Sequence, residues 1–433
     1  MSKRLLLFPL LVWMFSGCGS APPDDSACPP VTASPEVLAR SDARFPVIAA
    51  GDRGDDVAIA WQSTVGGPVL ARRRFEGIWT TPAPVSPAGA MSPVLVATPD
   101  GPVLVSDAAP AERRGLWISD GTPDGGWSPP RPITTAAGTR VRFPAASAGA
   151  DGTLVVVWRA DPAGALMLRS RATTGVWSPP RVVVAGNDIR DPVVALAGDG
   201  RAVLAWIEIE DGHRVVRTAE WADGRVSAPV ARSPQEETAT DLVGGRSTTG
   251  AVVLAWRGER GGRTQQVRSV ARSADGRWFQ TRALGAARTF ARGLPRPPGP
   301  LSRAPSVAVR NDATAVVAWP EQRDGIDTTV AVVLDGAGGV QQESVLSAGG
   351  RGGTVALATA ADGRVVAVWE HLDDPVLSLR RVELDGTRWT GCRTLTRTGR
   401  EPAGPVLAAG GGRVWAAWGV SNDSSVEAES VYP

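Results

Sequence analysis

The stretch that decides the fold is Asp151-Gly152-Thr153-Leu154-Val155-Val156-Val157-Trp158. A short Val-rich run that follows Asp-Gly is typical of a β-strand after a tight hairpin, because Gly accepts the positive φ that the hairpin needs. Similar runs recur along the chain at intervals near fifty residues. Seven copies end at Trp61, Trp158, Trp206, Trp256, Trp319, Trp369 and Trp418, and an eighth, at 103–107, has lost the Trp. Repetition at this period predicts a repeat architecture.

Each repeat contains further strand signals around the Trp-marked run. A strand opened by Pro precedes it, as at Pro144-Ala145-Ala146, and a third strand follows, as at 166–170. A fourth segment reads Trp-Ser-Pro-Pro-Arg at 177–181 and belongs at a sheet edge, since Pro cannot donate a ladder hydrogen bond. Four antiparallel strands repeated radially predict an all-β fold: an eight-bladed β-propeller of four-stranded antiparallel blades, in a single domain over residues 31–433. The Trp side chains are expected to pack between blades.

Closure of the ring is predicted from the two ends of the chain. The last repeat, residues 402–431, has only three strand signals, and the N-terminal segment 33–38 resembles the missing outer strand. An N-terminal strand that completes the last blade removes two free sheet edges. Cys28 precedes this segment and Cys392 lies in the seventh repeat, so we expect a disulfide that reinforces the closure. Two unrelated buried thiols are the alternative.

The N-terminal residues 1–17 are predicted to be a signal peptide. Lys3 and Arg4 precede an apolar run at 5–15 that is too short to span a bilayer. The run ends in Phe15-Ser16-Gly17-Cys18, which resembles the lipobox of bacterial lipoproteins. An ordinary secretory signal with a chance Cys is the alternative.

The lipobox resemblance implies a location for the protein. It implies a lipid on Cys18 that anchors the chain to a membrane in the bacterial cell envelope, with residues 18–30 as a flexible tether. Gly19 follows the lipid-bearing Cys in place of the Asp that retains such proteins at the inner membrane. The resemblance therefore favours the outer membrane over the inner one.

The charge balance argues against one class of partner. Without Lys3 and Arg4 of the leader, the 46 basic residues become 44, against 44 acidic residues. Nucleic-acid binding by counterion release draws on a net positive field, so no nucleic acid partner is expected. With 43% hydrophobic residues the chain can bury a large core, and we expect a monomer.

One polar pattern accompanies the Pro-opened inner strands. Arg stands two positions before the Pro in five of them, at Arg44, Arg142, Arg190, Arg303 and Arg400. In a propeller these positions surround one mouth of the central channel, where guanidinium groups suit carboxylate or sulfate ligands. The loops after the Trp-marked strands add Arg159, Glu208, Arg257, Glu321 and Glu370 to the predicted binding site. The alternative is that these residues form structural ion pairs.

Two short motifs resemble elements of one superfamily. The Arg-x-Pro spacing is similar to the Arg-Ile-Pro element of the sialidase superfamily, and the turns at 273–278 and 385–389 resemble shortened Asp-box (BNR repeat) turns of the same superfamily. The resemblance implies a propeller fold and an Arg that binds a substrate carboxylate. It does not imply sialidase chemistry, which uses a Tyr nucleophile, because the only Tyr here is Tyr432 near the C-terminus. Sialidases also have six blades and one such Arg element.

No other motif indicates a catalytic or metal centre. His213 and His371 have no nucleophile motif nearby, and no His or Cys cluster has metal-ligand spacing. We therefore expect no catalytic residue, no metal and no cofactor.

Three functions remain open at this point. The first is a non-catalytic, envelope-anchored binding module for an anionic glycan or a protein partner. The second is a glycoside hydrolase or lyase that uses acids among Glu208, Glu321 and Glu370 with the Arg residues as a substrate clamp. The third is a structural assembly scaffold. The missing acid–nucleophile set favours the first and the third.

Overall fold

The computed structural model describes most of the chain from Cys28 to Tyr432. The described residues are 28–29, 35–40, 43–53, 55–108, 114–134, 140–186, 188–197, 200–261, 264–289, 304–348, 350–373, 376–396 and 399–432. They form β-strands joined by turns and bends; this part of the chain contains no helix, and so none that is long and apolar enough to cross a membrane. The predicted signal peptide, Cys18, most of the tether and Arg303 lie outside the described residues.

Eight antiparallel sheets form the blades of an eight-bladed β-propeller, which confirms the predicted fold. Within each blade the chain starts at an inner strand beside the central axis and runs outward. The inner strands are β2 (Arg44–Ala50), β7 (Ala90–Thr98), β11 (Arg140–Ala148), β15 (Arg190–Leu196), β20 (Thr238–Arg246), β24 (Ser306–Val309), β28 (Arg351–Thr359) and β32 (Pro402–Gly410). The second strands are β3 (Val57–Gln62), β8 (Gly101–Ala108), β12 (Leu154–Asp161), β16 (Ala202–Glu210), β21 (Val252–Arg260), β25 (Ala315–Arg323), β29 (Val365–Asp373) and β33 (Arg413–Val420).

The outer half of each blade is less regular than the inner half. The third strands are β4 (Val69–Phe75), β9 (Gly115–Asp120), β13 (Ala165–Arg171), β17 (His213–Ala222), β22 (Thr264–Arg272), β26 (Ile326–Leu334), β30 (Val376–Asp385) and β34 (Ser425–Tyr432). The outer strands are β5 (Ile78–Trp79) with β6 (Ala83–Pro84), β10 (Arg131–Pro132), β14 (Arg181–Val184), β18 (Arg225–Val226) with β19 (Val230–Ala231), β23 (Arg282–Thr289), β27 (Val340–Val345), β31 (Arg388–Thr394) and β1 (Glu36–Ala39). We number the blades 1 to 8 in the order of their inner strands.

Blade 8 is closed by the N-terminal strand, as predicted. Strand β1 pairs antiparallel with β34, and the strand order in this sheet is β1-β34-β33-β32. Cys28 and Cys392 are joined by a disulfide across 364 residues of sequence, with their Cα atoms 4.9 Å apart. The backbone N–H of Thr394 also donates to the carbonyl of Pro29 at 3.3 Å. The segment before β1 is thus tied to blade 7 while β1 itself completes blade 8.

The Trp side chains of the repeat pack between neighbouring blades, as expected. Trp206 of blade 4 is fully buried against Val155 and Leu166 of blade 3. Trp369 of blade 7 packs in the same way against blade 6. Burial of an indole removes about 200 Å² from water, which corresponds to about 5 kcal/mol at ~25 cal/mol per Å². These contacts make the Trp residues the main apolar link from one blade to the next.

The outer strands depart from the sequence-based prediction in one respect. In blade 3, Trp177 makes only an isolated bridge to Arg171, and the strand itself begins at Arg181. The intervening Ser178 instead accepts a hydrogen bond at its hydroxyl from the N–H of Ser170, at 3.0 Å. Because the two Pro residues that follow have no N–H, ladder pairing resumes only after them.

All inner strands begin on the same side of the ring, because every blade repeats the same chain direction. We call this side the top face. It carries the connections into the inner strands and the loops from second to third strands. The bottom face carries the hairpins between inner and second strands, such as Asp151-Gly152 in blade 3. The predicted site residues near strand starts and after the Trp positions therefore belong to the top face.

Candidate functional site

A bulge recurs where the inner strands begin on the top face. In blade 3, Arg142 pairs with Arg159 and Ala145 pairs with Val157, so Phe143 and Pro144 together stand opposite Trp158. Such a two-against-one arrangement is a β-bulge, which re-aims side chains at the rim of a sheet. The first bulge residue is left-handed in six blades, at Phe45, Ser92, Phe143, Asp191, Asp241 and Gly404, with φ values between 45° and 60°. For the residues other than Gly this conformation is strained, and such strain is found most often at functional sites.

The bulges expose two aromatic side chains. Phe45 in blade 1 is 47% exposed and Phe143 in blade 3 is 38% exposed, and each directly follows an Arg. In blade 2 the corresponding pair is Met91, also exposed, and Ser92. Blades 1 and 3 therefore each present an Arg beside an exposed Phe on the top face, and blade 2 presents an exposed Met between them.

The bulges in the rest of the ring carry different side chains. The first bulge residue is Asp191 in blade 4 and Asp241 in blade 5, and these acids lie close enough for Asp241 to raise the pKa of Asp191, after burial, which has the larger effect. In blades 7 and 8 the bulges contain Gly353 and Gly404. The top face therefore has an aromatic and basic sector, an acidic sector and a glycine sector.

The predicted Arg residues before the inner strands divide into two groups. In Arg142 the Nε lies 3.1 Å from Asp161, and in Arg190 an Nη lies 2.8 Å from Asp188, yet their side chains are 40% and 44% exposed. Arg44 is exposed and makes no ion pair within the described part of the chain. These three guanidinium groups can receive a ligand.

Arg400 behaves differently from the other Arg residues before inner strands. Its guanidinium binds Glu427, Asp423 and the hydroxyl of Ser425, all within blade 8. These partners raise its pKa against the opposing effect of burial. The sequence predicted a ring of five equivalent Arg residues; the described residues show three exposed members over blades 1, 3 and 4, and Arg400 held by its own blade.

The predicted residues directly after the Trp bind the next blade. Arg159 donates to the carbonyl of Ile189 at 3.2 Å and to Asp188 at 3.1 Å. Arg257 donates to the carbonyl of Pro320 at 2.8 Å. Arg159 and Arg257 therefore each connect their blade to the following one.

Glu370 also connects its blade to the following one, but as a hydrogen-bond acceptor and not as a donor. Its Oε1 accepts from the N–H of Gly404 at 2.8 Å, in blade 8, and its Oε2 accepts from the N–H of Thr354 at 3.2 Å. Burial raises its pKa. The neighbouring His371 is buried, its two ring nitrogens have no hydrogen-bond partner among the described residues, and burial lowers its pKa to about 4.

The other two predicted acids are held by Trp and Arg. Glu208 accepts from the indole N–H of Trp206 at 2.9 Å and forms an ion pair with Arg217 at 2.5 Å. Glu321 accepts from the indole N–H of Trp319 at 2.7 Å and is also bound by Arg323. These carboxylates fix the Trp side chains in place, and each lies in a different blade.

Sequence reasoning missed a residue of blade 2. Asp107 follows Ser106, which occupies the position of the lost Trp, and the two side chains are 4% and 0% exposed. Within the described ranges, neither Oδ1 of Asp107 nor the hydroxyl of Ser106 has a hydrogen-bond partner. The sequence shows a break in the Trp repeat at this point, but only the structure shows that the carboxyl of Asp107 is buried.

As for Asp191 and Glu370, burial dominates the electrostatics of Asp107. Burial raises its pKa from 3.8 to about 6. The N–H groups of Asp107 and Met91 and the positive charges of Arg140 and Arg142 act in the opposite direction. A carboxyl whose pKa is raised to about 6 thus lies close enough to Arg142 for the guanidinium charge to act on it.

Two kinds of group would indicate catalysis at the top face, namely the Tyr that sialidases use and a cluster of metal-binding side chains. Tyr432 donates to Asp362 at 2.6 Å, and Asp362 belongs to an inner-to-second hairpin of the bottom face. Among the described residues, no three His, Cys, Asp or Glu side chains are grouped so that they could hold a metal ion.

Comparison with known proteins identifies the fold and no family. No family model matches this chain, and no curated protein matches it. An ulvan lyase, a polysaccharide lyase, is 10% identical with a TM-score of 0.51, over 83% of this chain and 97% of its own. The WD40 domain of SCAP from fission yeast is 10% identical with a TM-score of 0.52, over 93% of this chain and 94% of its own. At these identities the likeness shows the fold alone.

Two further matches have TM-scores below 0.5. The NanB sialidase from Streptococcus pneumoniae is 8% identical with a TM-score of 0.40, over 92% of this chain and 71% of its own. A puromycin hydrolase is 18% identical with a TM-score of 0.47, and this chain spans 61% of its length. The sheet topology itself shows the propeller fold that the sialidase resemblance implies, whereas no family model matches the Asp-box repeats.

Proposed function

We propose that the protein is an envelope-anchored lipoprotein propeller whose top face binds an anionic glycan without catalysis. The observation that carries the proposal is the sector over blades 1 to 3, where strained bulges expose Phe45 and Phe143 beside Arg44 and Arg142. Aromatic side chains offer flat apolar area at low entropic cost, and Arg binds carboxylate or sulfate groups in a fork geometry. An anionic sugar presents both kinds of surface to a protein.

The acids of the top face support binding over hydrolysis. A glycosidase pair needs two carboxyl groups about 5–10 Å apart and accessible to the substrate. Glu208 and Glu321 are each bound by an indole N–H and an Arg, and Glu370 is bound by two backbone N–H groups of different blades. Carboxylates whose oxygens already accept hydrogen bonds from the protein suit a structural role better than proton transfer to a substrate.

Calorimetry with polygalacturonate as the polyanion and dextran as the neutral control tests the binding proposal. We expect binding of polygalacturonate alone, weaker at 300 mM than at 50 mM NaCl, because charged contacts are screened by salt. Arg142→Ala and Phe143→Ala should each weaken binding about tenfold. Arg131→Ala is the matched control, since Arg131 also forms an exposed ion pair, 2.7 Å from Asp120, but in the outer strand of blade 2.

The outcomes separate the three functions. Equal binding of dextran and polygalacturonate, or equal effects of the Arg131 and Arg142 variants, would overturn the glycan proposal. Product release from the polymer would replace it with the lyase or hydrolase. A protein partner recovered without any glycan binding would favour the scaffold.

The proposed anchor has a separate test. Cys18→Ser should abolish labelling with an alkyne fatty acid and move the protein from the membrane fraction to the soluble fraction. Replacement of Gly19 by Asp tests the membrane, because it should shift a lipoprotein from the outer towards the inner membrane. Unchanged labelling of the Cys18→Ser variant would contradict the proposed lipid on Cys18, and the proposal of glycan binding would be unaffected.

A further inference from the structure

Three seams between blades contain the same kind of hydrogen bond, and the seam after blade 2 has an unpaired buried acceptor at that position among the described residues. The residue after the Trp position reaches the following blade in blades 3, 5 and 7, through Arg159, Arg257 and Glu370. In blade 2 this position holds Asp107, whose Oδ1 makes no hydrogen bond within the described ranges although the residue is almost fully buried. A buried polar atom without a partner is rare in folded proteins and needs an explanation.

The groups that face Asp107 are few and can be named. Blade 3 contributes the charges of Arg140 and Arg142, and Arg142 is itself paired with Asp161. Within blade 2, the strand on one side contributes the N–H of Met91, and the strand on the other side places the apolar Leu116 opposite Asp107. The carboxyl therefore has two cations in front of it and a remaining acceptor atom.

The exposed part of this seam supplies two more kinds of contact. Arg142 presents a guanidinium that is 40% exposed, and Phe143 presents an aromatic ring at the same rim. A carboxyl acceptor on β8 of blade 2 and a cationic fork with a flat apolar surface on β11 of blade 3 thus belong to the two blades that form this seam. A uronic acid has the matching groups, namely ring hydroxyls, a carboxylate and an apolar ring face.

We propose that the seam between blades 2 and 3 is a subsite for a uronic acid residue, in which Asp107 accepts a hydrogen bond from a ring hydroxyl and Arg142 binds the carboxylate. The inference rests on the proposed function, since it names the sugar class and the residues that select it. Phe143 packs against the sugar ring. Ser106 carries a second buried polar group without a partner among the described residues, and it lies on the same strand at the position where the repeat has lost its Trp.

The charge of Asp107 gives the subsite a pH dependence. Burial places its pKa at about 6, whereas the carboxyl of a uronic acid stays ionised down to about pH 4. As the pH falls from 8 to 5, Asp107 loses its charge and no longer repels the ligand carboxylate, so affinity rises. The hydroxyl of the sugar can still donate to the carbonyl oxygen of the protonated acid.

Titration calorimetry of the full chain with an oligogalacturonide at pH 5 and pH 8 tests the inference. Wild type should bind about tenfold more tightly at pH 5. Asp107→Asn removes the charge, and its amide NH2 can donate to a hydroxyl oxygen of the sugar, so this variant should bind equally at both pH values, as tightly as wild type at pH 5. Asp107→Leu removes the acceptor and should bind at least tenfold more weakly at pH 5, with an unchanged circular dichroism spectrum.

The controls separate this inference from the proposed function. The methyl-esterified oligogalacturonide has no charge and should bind weakly without a pH dependence. Binding that depends on Arg142 but keeps its pH dependence in Asp107→Asn would overturn the subsite and leave the proposed function intact. Absence of binding to any polyuronate by wild type would overturn both.

Discussion

Replacement of Asp107 by Asn removes a buried charge at constant side-chain shape. Burial raises the pKa of Asp107 from 3.8 to about 6, and Arg140 and Arg142 only partly offset this effect. A raised folded-state pKa favours the protonated form, so its contribution to stability is complete below pH ~4 and is lost as the pH rises through about 6. With about 1.4 kcal/mol per pKa unit, the charged carboxyl costs about 3 kcal/mol at pH 8 and about 1 kcal/mol at pH 4.5.

Asp107→Asn should therefore raise the free energy of unfolding by about 3 kcal/mol at pH 8 and by about 1 kcal/mol at pH 4.5. Urea unfolding followed by Trp fluorescence at the two pH values measures both changes against wild type. Asp151→Asn, in an exposed hairpin of the bottom face, is the matched control, and its effect should stay within about 0.5 kcal/mol at both pH values. An equal change for Asp107→Asn at the two pH values would refute the reasoning.

Three further predictions concern the seams and the closure. Trp206→Ala should lower the free energy of unfolding by about 3–5 kcal/mol in urea, because it leaves a cavity between blades 3 and 4. Cys28→Ser should lower it by about 2–5 kcal/mol, and dithiothreitol should destabilise wild type but not this variant. Arg73→Ala should cost about 3–5 kcal/mol, since it leaves Asp56 without the buried guanidinium that binds it at 2.7 Å, and 0.5 M NaCl should reduce this loss only slightly. A loss below 1 kcal/mol for any of the three would contradict its assigned role.

The fold was predictable because its physical causes are local in sequence. A Trp that closes each gap between blades must recur once per blade, so the seven Trp positions and the altered run at 103–107 count the blades directly. The missing eighth outer strand and the similar segment near the N-terminus predict the closure for the same reason. The ends of the outer strands were harder to predict, because pairing after Trp177 depends on which residues have a backbone N–H.

The site was predictable only as a set of positions. The sequence shows which residues precede the inner strands, but their ion-pair partners, which come from different parts of the chain, decide what these residues do. Arg400 is bound by Asp423 and Glu427, more than twenty residues away, whereas Arg142 keeps an exposed guanidinium beside Asp161. The burial of Asp107 depends in turn on how blade 3 packs against blade 2. The local sequence pattern predicts neither these ion-pair partners nor this burial.

A repeat protein offers one position eight times, so a departure at one copy is informative. Seven copies of the second strand place an indole between blades, and strand β8 places Ser106 there. The Oδ1 of the next residue of β8, Asp107, has no hydrogen-bond partner among the described residues, whereas Arg159, Arg257 and Glu370 hydrogen-bond to the following blade. Both departures lower stability, by loss of apolar burial and by burial of a carboxyl. Closure of the ring does not account for their occurrence on one strand, whereas the proposed subsite beside Arg142 would account for it.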